Sequence, residues 1–351
     1  MSATEFKPAK NRGLSAVKGR FALLPLPRNG SAPWPQLDIP PPNQPHSASD
    51  RPASASLCWR IPPHSGLCLA NSLRQRWQTY LQQLRRCRKD FSEDSVHQLR
   101  VATRRLMTQF SLLDWVSSDS KAEKARNLLK KRLKSLGELR DVHVQRMFFE
   151  QYMSRFPELA AIHTFLQTRE RRLAEITARK VNGFKIRRLK KCVAALSEEL
   201  TSKKEIDSEW LASRIHSTVT DAFEEVVSRR QNIDAQNSQA IHRTRVAFKR
   251  FRYIVESLSP AFTGLGKKQL RRLAYYQRRM GNLQDLEILQ QTVSRFIEDH
   301  PSDEHSLKPF CQYLGTRHTR AMRACLSHAD DLFEFWSGFV PDRSEMARTA
   351  A

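Results

Sequence analysis

Apolar residues recur every three or four positions along most of this chain and hardly ever alternate, the period of helices packed on one face. From about Gly66, Leu69, Leu73, Trp77, Leu81 and Leu84 mark the inner face of a first predicted helix, with Arg74, Arg76, Arg85, Arg86 and Arg88 on other faces. Ser92-Glu93-Asp94-Ser95 then offers capping side chains and first-turn acids, so a second helix is predicted over about 94–116. Further helices are predicted at about 121–139, 142–155 (broken before Pro157), 158–181 and 184–201. The polar stretch 201–207 reads as a boundary. Beyond it the pattern predicts a helix at 208–230, carrying Ile215, Val219 and Phe223, and one through His242 that stops before Pro260. Three more follow, at about 267–280, 284–299 and 306–337. No strand pattern is present, and the fold class is all-α.

The second helix has a near-copy in the second half. His97-Gln-Leu-Arg100-Val101-Ala102-Thr-Arg104-Arg105 matches His242-Arg-Thr-Arg245-Val246-Ala247-Phe-Lys249-Arg250. A second matched block, Leu136-Gly137-Glu138-Leu139-Arg140-Asp141, corresponds to Met280-Gly281-Asn282-Leu283-Gln284-Asp285. The histidines stand 145 positions apart and the aspartates 144, which points to an internal duplication. On a helix, positions three and seven after a histidine lie about 60° and 20° from it. His97, Arg100 and Arg104 therefore share one face, as do His242, Arg245 and Lys249. Cations four apart repel by a few tenths of a kcal/mol, roughly, where surface helices usually alternate signs. A stripe that recurs despite that cost reads as an anion site.

Charge extends this picture. The 351 residues hold 60 Lys and Arg against 36 Asp and Glu, a formal net charge of +24, which calls for a polyanionic partner: nucleic acid, an anionic membrane or a phosphate polymer. Hydrophobic residues at 40% suffice for a packed core, and only 11 glycines leave the composition helix-prone. Residues 1–56, rich in Pro, Ser and Arg, are expected to be disordered, as is the tail 342–351. Between them, 57–341 forms one domain with repeats at about 66–201 and 208–337. Six scattered cysteines without C-x-x-C spacing read as isolated thiols in a reducing compartment. No stretch has the length of a membrane span or a signal peptide, so the expected location is cytoplasmic.

Candidate chemistry narrows the choice of partner. Lys131 and Lys134 on the third helix, and Arg271 and Arg278 beyond Gly266, offer a second basic wall; Lys134 aligns with Arg278. Histidines beside arginines are expected to titrate with bound phosphate, so affinity should strengthen as pH falls through about 6.5. Glycines and aspartates of the corner block read as structural: the glycine ends or closely packs a helix, and the aspartate caps the next or pairs with an arginine. Trp77, Phe110, Phe223 and Phe296 fall on apolar faces and read as core, which makes nucleic acid the secondary partner. A phosphate-polymer hydrolase is the other alternative. It lacks a G-x-x-x-x-G-K-[ST] loop and clustered acids for Mg²⁺.

The H-x-x-R-V-A-x-[RK]-R block, its copy and the paired L/M-G-x-L-x-D corners resemble the CHAD family, the conserved-histidine α-helical domain. The resemblance spans about 60–340. It implies two pseudo-symmetric four-helix bundles enclosing a basic central channel, binding of inorganic polyphosphate, and in some members association with polyphosphate granules. By position it marks His97, Arg100 and Arg104 in the first half and His242, Arg245 and Lys249 in the second. Lys134 and Arg278 follow from alignment of the corners; Lys131, Arg252 and Arg271 are placed by helical face. Some relatives join this domain to a CYTH-type triphosphatase with an E-x-E-x-K signature. That signature is missing here, which argues for a stand-alone binder with no catalytic activity and no cofactor.

Overall fold

A computed structural model describes residues 65–114, 120–202, 208–233, 238–259 and 266–336. The expected disordered segment 1–56, the tail 342–351 and most of the boundary 201–207 lie outside the described residues. Ten α-helices follow one another: α1 (Ser65–Lys89), α2 (Glu93–Leu112), α3 (Lys121–Ser135), α4 (Gly137–Tyr152), α5 (Ala160–Asn182), α6 (Arg187–Ser202), α7 (Ser208–Arg230), α8 (Ser238–Leu258), α9 (Lys267–Asp299) and α10 (Glu304–Ser327). No strand occurs among the described residues, and the all-α class holds.

Local chemistry accounts for the helix that carries the first stripe. Ser92 caps α2 by accepting from the Ser95 amide at 3.3 Å, and Glu93 and Asp94 sit at its positive end. The first predicted core face is buried at Leu69, Leu73, Trp77 and Leu84, with Leu81 half-buried beside them.

Two expectations at helix ends change. The predicted helices 267–280 and 284–299 are one continuous helix, α9, that runs through Gly281. The matching corner in the first half does interrupt the helix, but only at Leu136, between α3 and α4. Beside the break the Ser135 hydroxyl donates to the Arg132 carbonyl at 2.8 Å; the aligned residue in α9 is Arg279. The predicted helix 306–337 ends at Ser327 and is followed by a 3₁₀ segment, Ala329–Glu334.

Packing partners follow the same order in both halves: α1 lies on α2 and α7 on α8, α2 on α3 and α8 on α9, α4 on α5 and α9 on α10. The buried apolar residues nonetheless divide into two cores that do not coincide with the halves. One is built from α1, α2, α3, α6, α7, α8 and the first part of α9. The other joins α4 and α5 to the second part of α9 and α10, where Phe149, Phe156 and Phe310 meet. Helix α2 also packs on α8, which brings the two copies of the histidine block together.

Candidate functional site

The basic stripe is interior. On α2, His97, Arg100 and Arg104 are 5%, 1% and 5% exposed; on α8, Arg245 and Lys249 are 1% and 5% exposed and His242 is half-buried. Because α2 and α8 are packed together, the two stripes share one space. Burial pushes Lys249 well below the usual lysine range, and Arg104, Arg245, Arg252 and Arg100 push it the same way. Burial likewise lowers Arg104, with Arg245 adding to the effect, while Tyr253 and Asp141 oppose it. Asp285 plays the corresponding part at Arg245. The corner aspartates thus act as counter-charges to the stripe arginines, one of the two roles their sequence position left open.

The matched arginines Arg100 and Arg245 differ in what they hold. Where the helix breaks at Leu136, carbonyls at the end of α3 lose their intrahelical partners, and Arg100 Nη1 donates to one of them, that of Leu133, at 3.1 Å. Helix α9 has no break, so it frees no carbonyl for Arg245. Its guanidinium instead lies against Gly281, where a Cβ would meet Nη2 at 3.5 Å. Arg245 Nε and Nη1 are buried with no hydrogen-bond partner among the described residues. Buried donors left open in this way are costly, and an anion would satisfy them.

Histidines at the site are pushed toward the neutral form in the free protein. Burial lowers His97 to about 4, with Arg140 and Arg104 next in effect. Burial also lowers His242, and Arg245 adds to this against a hydrogen bond with Gln284. The midpoint of free His97 therefore lies well below 6.5, and protonation near 6.5 cannot drive binding unless bound phosphate first overcomes both burial and the neighbouring guanidinium groups.

The remaining candidates lie further out. Arg252 is half-buried, 3.4 Å from Glu256 and over the ring of Tyr253. Glu256 also faces Arg105 at 4.0 Å, and its carbonyl accepts from Arg76. Lys131, Lys134, Arg271 and Arg278 are exposed and form no ion pair among the described residues. They are not part of the buried cluster.

Sequence reasoning passes over Arg140 and His143. Arg140 is fully buried in α4 and pairs with Glu93, in the first turn of α2. His143 lies 3.4 Å from Glu170 and is lowered to about 3 by burial and then by Arg140 and Arg146. A signal does exist: Arg140 sits inside the corner block, where the second copy has Gln284. A cleft of ≈ 770 Å³ beside His242 is lined by Gln284, Glu287, Arg295 and His318 among others. Among the described residues, no group of three or more His, Cys, Asp or Glu side chains is placed to hold a metal ion. No helix there is long and apolar enough to cross a membrane.

Comparison with known proteins places the fold. Two solved structures are similar: the CHAD domain from the plant Ricinus communis, at TM-score 0.54 and 18% identity over 78% of this chain and 95% of that one, and PptA from Streptomyces chartreusis, at TM-score 0.54 and 15% identity over 77% and 97%. No curated protein matches the chain. The sequence model of the CHAD domain matches residues 71–294, which include both histidine blocks and both corners. The chain belongs to the CHAD domain family.

Proposed function

We propose that this CHAD domain binds inorganic polyphosphate where α2 packs on α8, without catalysing its turnover. The observation that carries the reading is the meeting of the two stripes: the charges that depress buried Lys249 are arginines of both helices. Desolvating several like charges in one place is unfavourable for an isolated fold. A chain of phosphates offsets that cost, because each unit brings negative charge and acceptor oxygens. Arginine supplies forked donors to those oxygens and lysine a point charge. Two basic helices from matched halves, facing each other, form a run of cations suited to a linear polymer, and a confined run strengthens the local field. In this proposal they wall a channel produced by internal duplication, as the family resemblance implies, and granule association would follow from it.

Binding without catalysis is supported by the histidines. An imidazole lowered to about 4 and surrounded by guanidinium groups is a weak base at neutral pH, a poor activator of water.

The test is calorimetric titration of the full chain with long-chain polyphosphate at several salt concentrations, with single- and double-stranded DNA as competitors. Tight binding with a steep salt slope is expected, weakened at least about tenfold by Lys249→Gln in a chain that still melts cooperatively. Displacement by DNA at equal charge would overturn the choice of partner. Phosphate release that depends on Mg²⁺ would overturn the non-catalytic reading.

A further inference from the structure

Between Glu175 and Glu198 the chain contains no acidic residue and seven cations. Arg179 and Lys180 close α5, Lys185 lies in the turn, and Arg187, Arg188, Lys190 and Lys191 open α6. All seven are exposed, and none forms an ion pair among the described residues. The placement at α6 runs against helix stability. Its first turn holds no acid, and four of the cations stand at the positive end of the helix dipole.

The backbone of this corner is firmly held. Arg88 of α1 donates to the carbonyls of Val181 at 3.3 Å, Asn182 at 3.3 Å and Phe184 at 2.7 Å. Arg132 of α3 donates to the Lys185 carbonyl and lies 4.9 Å from the Phe184 ring centre. The corner is a rigid cationic platform built by buried or bridging arginines from two other helices.

Its position relative to the α2–α8 cluster is given by adjacent residues of α3. Arg100 of the stripe reaches the Leu133 carbonyl, and Arg132, one residue earlier, reaches Lys185 at the corner. One helix, α3, therefore lies between cluster and corner. Exposed Lys131 and Lys134 lie on that same intervening helix.

We propose that the α5–α6 corner is a second stretch of the polyphosphate site, which holds the chain after it leaves the α2–α8 cluster across α3 and makes binding depend on chain length. This rests on the function proposed above. A short chain fills the cluster alone; a long one continues over Lys131 and Lys134 to the corner. There it neutralises cations that repel one another and the dipole of α6.

The test uses the full chain carrying Lys185→Gln, Arg187→Gln, Arg188→Gln, Lys190→Gln and Lys191→Gln. These side chains are exposed, so the variant should melt like the parent. Tripolyphosphate, long-chain polyphosphate and a single-stranded RNA are titrated into both proteins and into Lys249→Gln. The expected result is a long-chain affinity lowered about tenfold or more and a salt slope shallower by about 0.7 for each phosphate no longer neutralised, with tripolyphosphate unchanged. Equal affinities of variant and parent for long chains would overturn the proposal. So would equal weakening for both ligands, which would make the corner a source of general field only. Loss of RNA binding with long-chain polyphosphate unaffected would also overturn it and assign the surface to nucleic acid. If Lys249→Gln leaves every titration unchanged, the cluster reading itself fails, an outcome separate from those at the corner.

Discussion

The two copies of the histidine block are alike in sequence and different in circumstance. In the first, α3 breaks at Leu136, Arg100 is tied to the Leu133 carbonyl, and Arg140 stands beside His97 with Glu93 as its counter-charge. In the second, α9 runs unbroken, the Arg245 guanidinium lies against Gly281, and Gln284 replaces Arg140. The sequence repeat supplies two similar stripes, and a helix break in one half only gives Arg100 a carbonyl that Arg245 does not reach.

The largest effect should come from making the first half resemble the second. Arg140→Gln leaves Glu93 without its buried partner, and breaking such a pair costs about 3 kcal/mol, to be read from urea unfolding. The same change removes a guanidinium that depresses His97, so the His97 midpoint should rise from about 4 in an NMR titration. An unmoved midpoint would mean that burial alone sets it.

Next, the same substitution at the matched arginines should separate stability from binding. Arg100→Lys gives up the bond to the Leu133 carbonyl and should cost about 1–3 kcal/mol of stability, with a smaller effect on affinity. Arg245→Lys keeps a charge near Asp285 but loses the fork. It should leave the urea midpoint nearly unchanged and weaken polyphosphate binding about tenfold. Matching effects at both positions would erase the contrast between the halves.

Protonation supplies an independent measure of the first half. His97 and His143 have folded values of about 4 and about 3, below the unfolded value, so the unfolded chain takes up protons first as pH falls. Their contribution to stability is fully present above about 6.5 and declines as pH drops toward 4. The melting temperature should fall across that window, and less steeply in His97→Gln.

The smallest effect concerns Gly281. A Cβ there meets Arg245 at ordinary van der Waals distance, and α9 is continuous, so Gly281→Ala should stabilise the protein by about 0.5–1 kcal/mol in thermal or urea unfolding. Destabilisation would show that the guanidinium needs the bare glycine backbone.

Much of the molecule is legible without coordinates. The apolar period predicts α7 at its observed bounds and places Leu69, Leu73, Phe110 and Phe223 on faces that are buried. These are local matters, since a 3.6-residue period and a capping serine act within a few turns. The corner at Gly281 reads as a helix end and is not one, because the glycine looks the same in both halves while only the first half breaks its helix there, at Leu136. Arg140 escapes notice because its significance depends on Glu93, 47 positions away.

By itself the sequence determined the helical class, the repeated stripe, the excess of positive charge and the residues that would carry them. Tertiary structure alone decided that α2 and α8 lie against each other, that the stripe is buried rather than solvated, and that α4 and α5 share a core with α10. The reason is physical. Periodicity records which face of a helix avoids water, whereas the choice of partner helix, and with it the field each charge experiences, depends on packing between residues far apart in the chain.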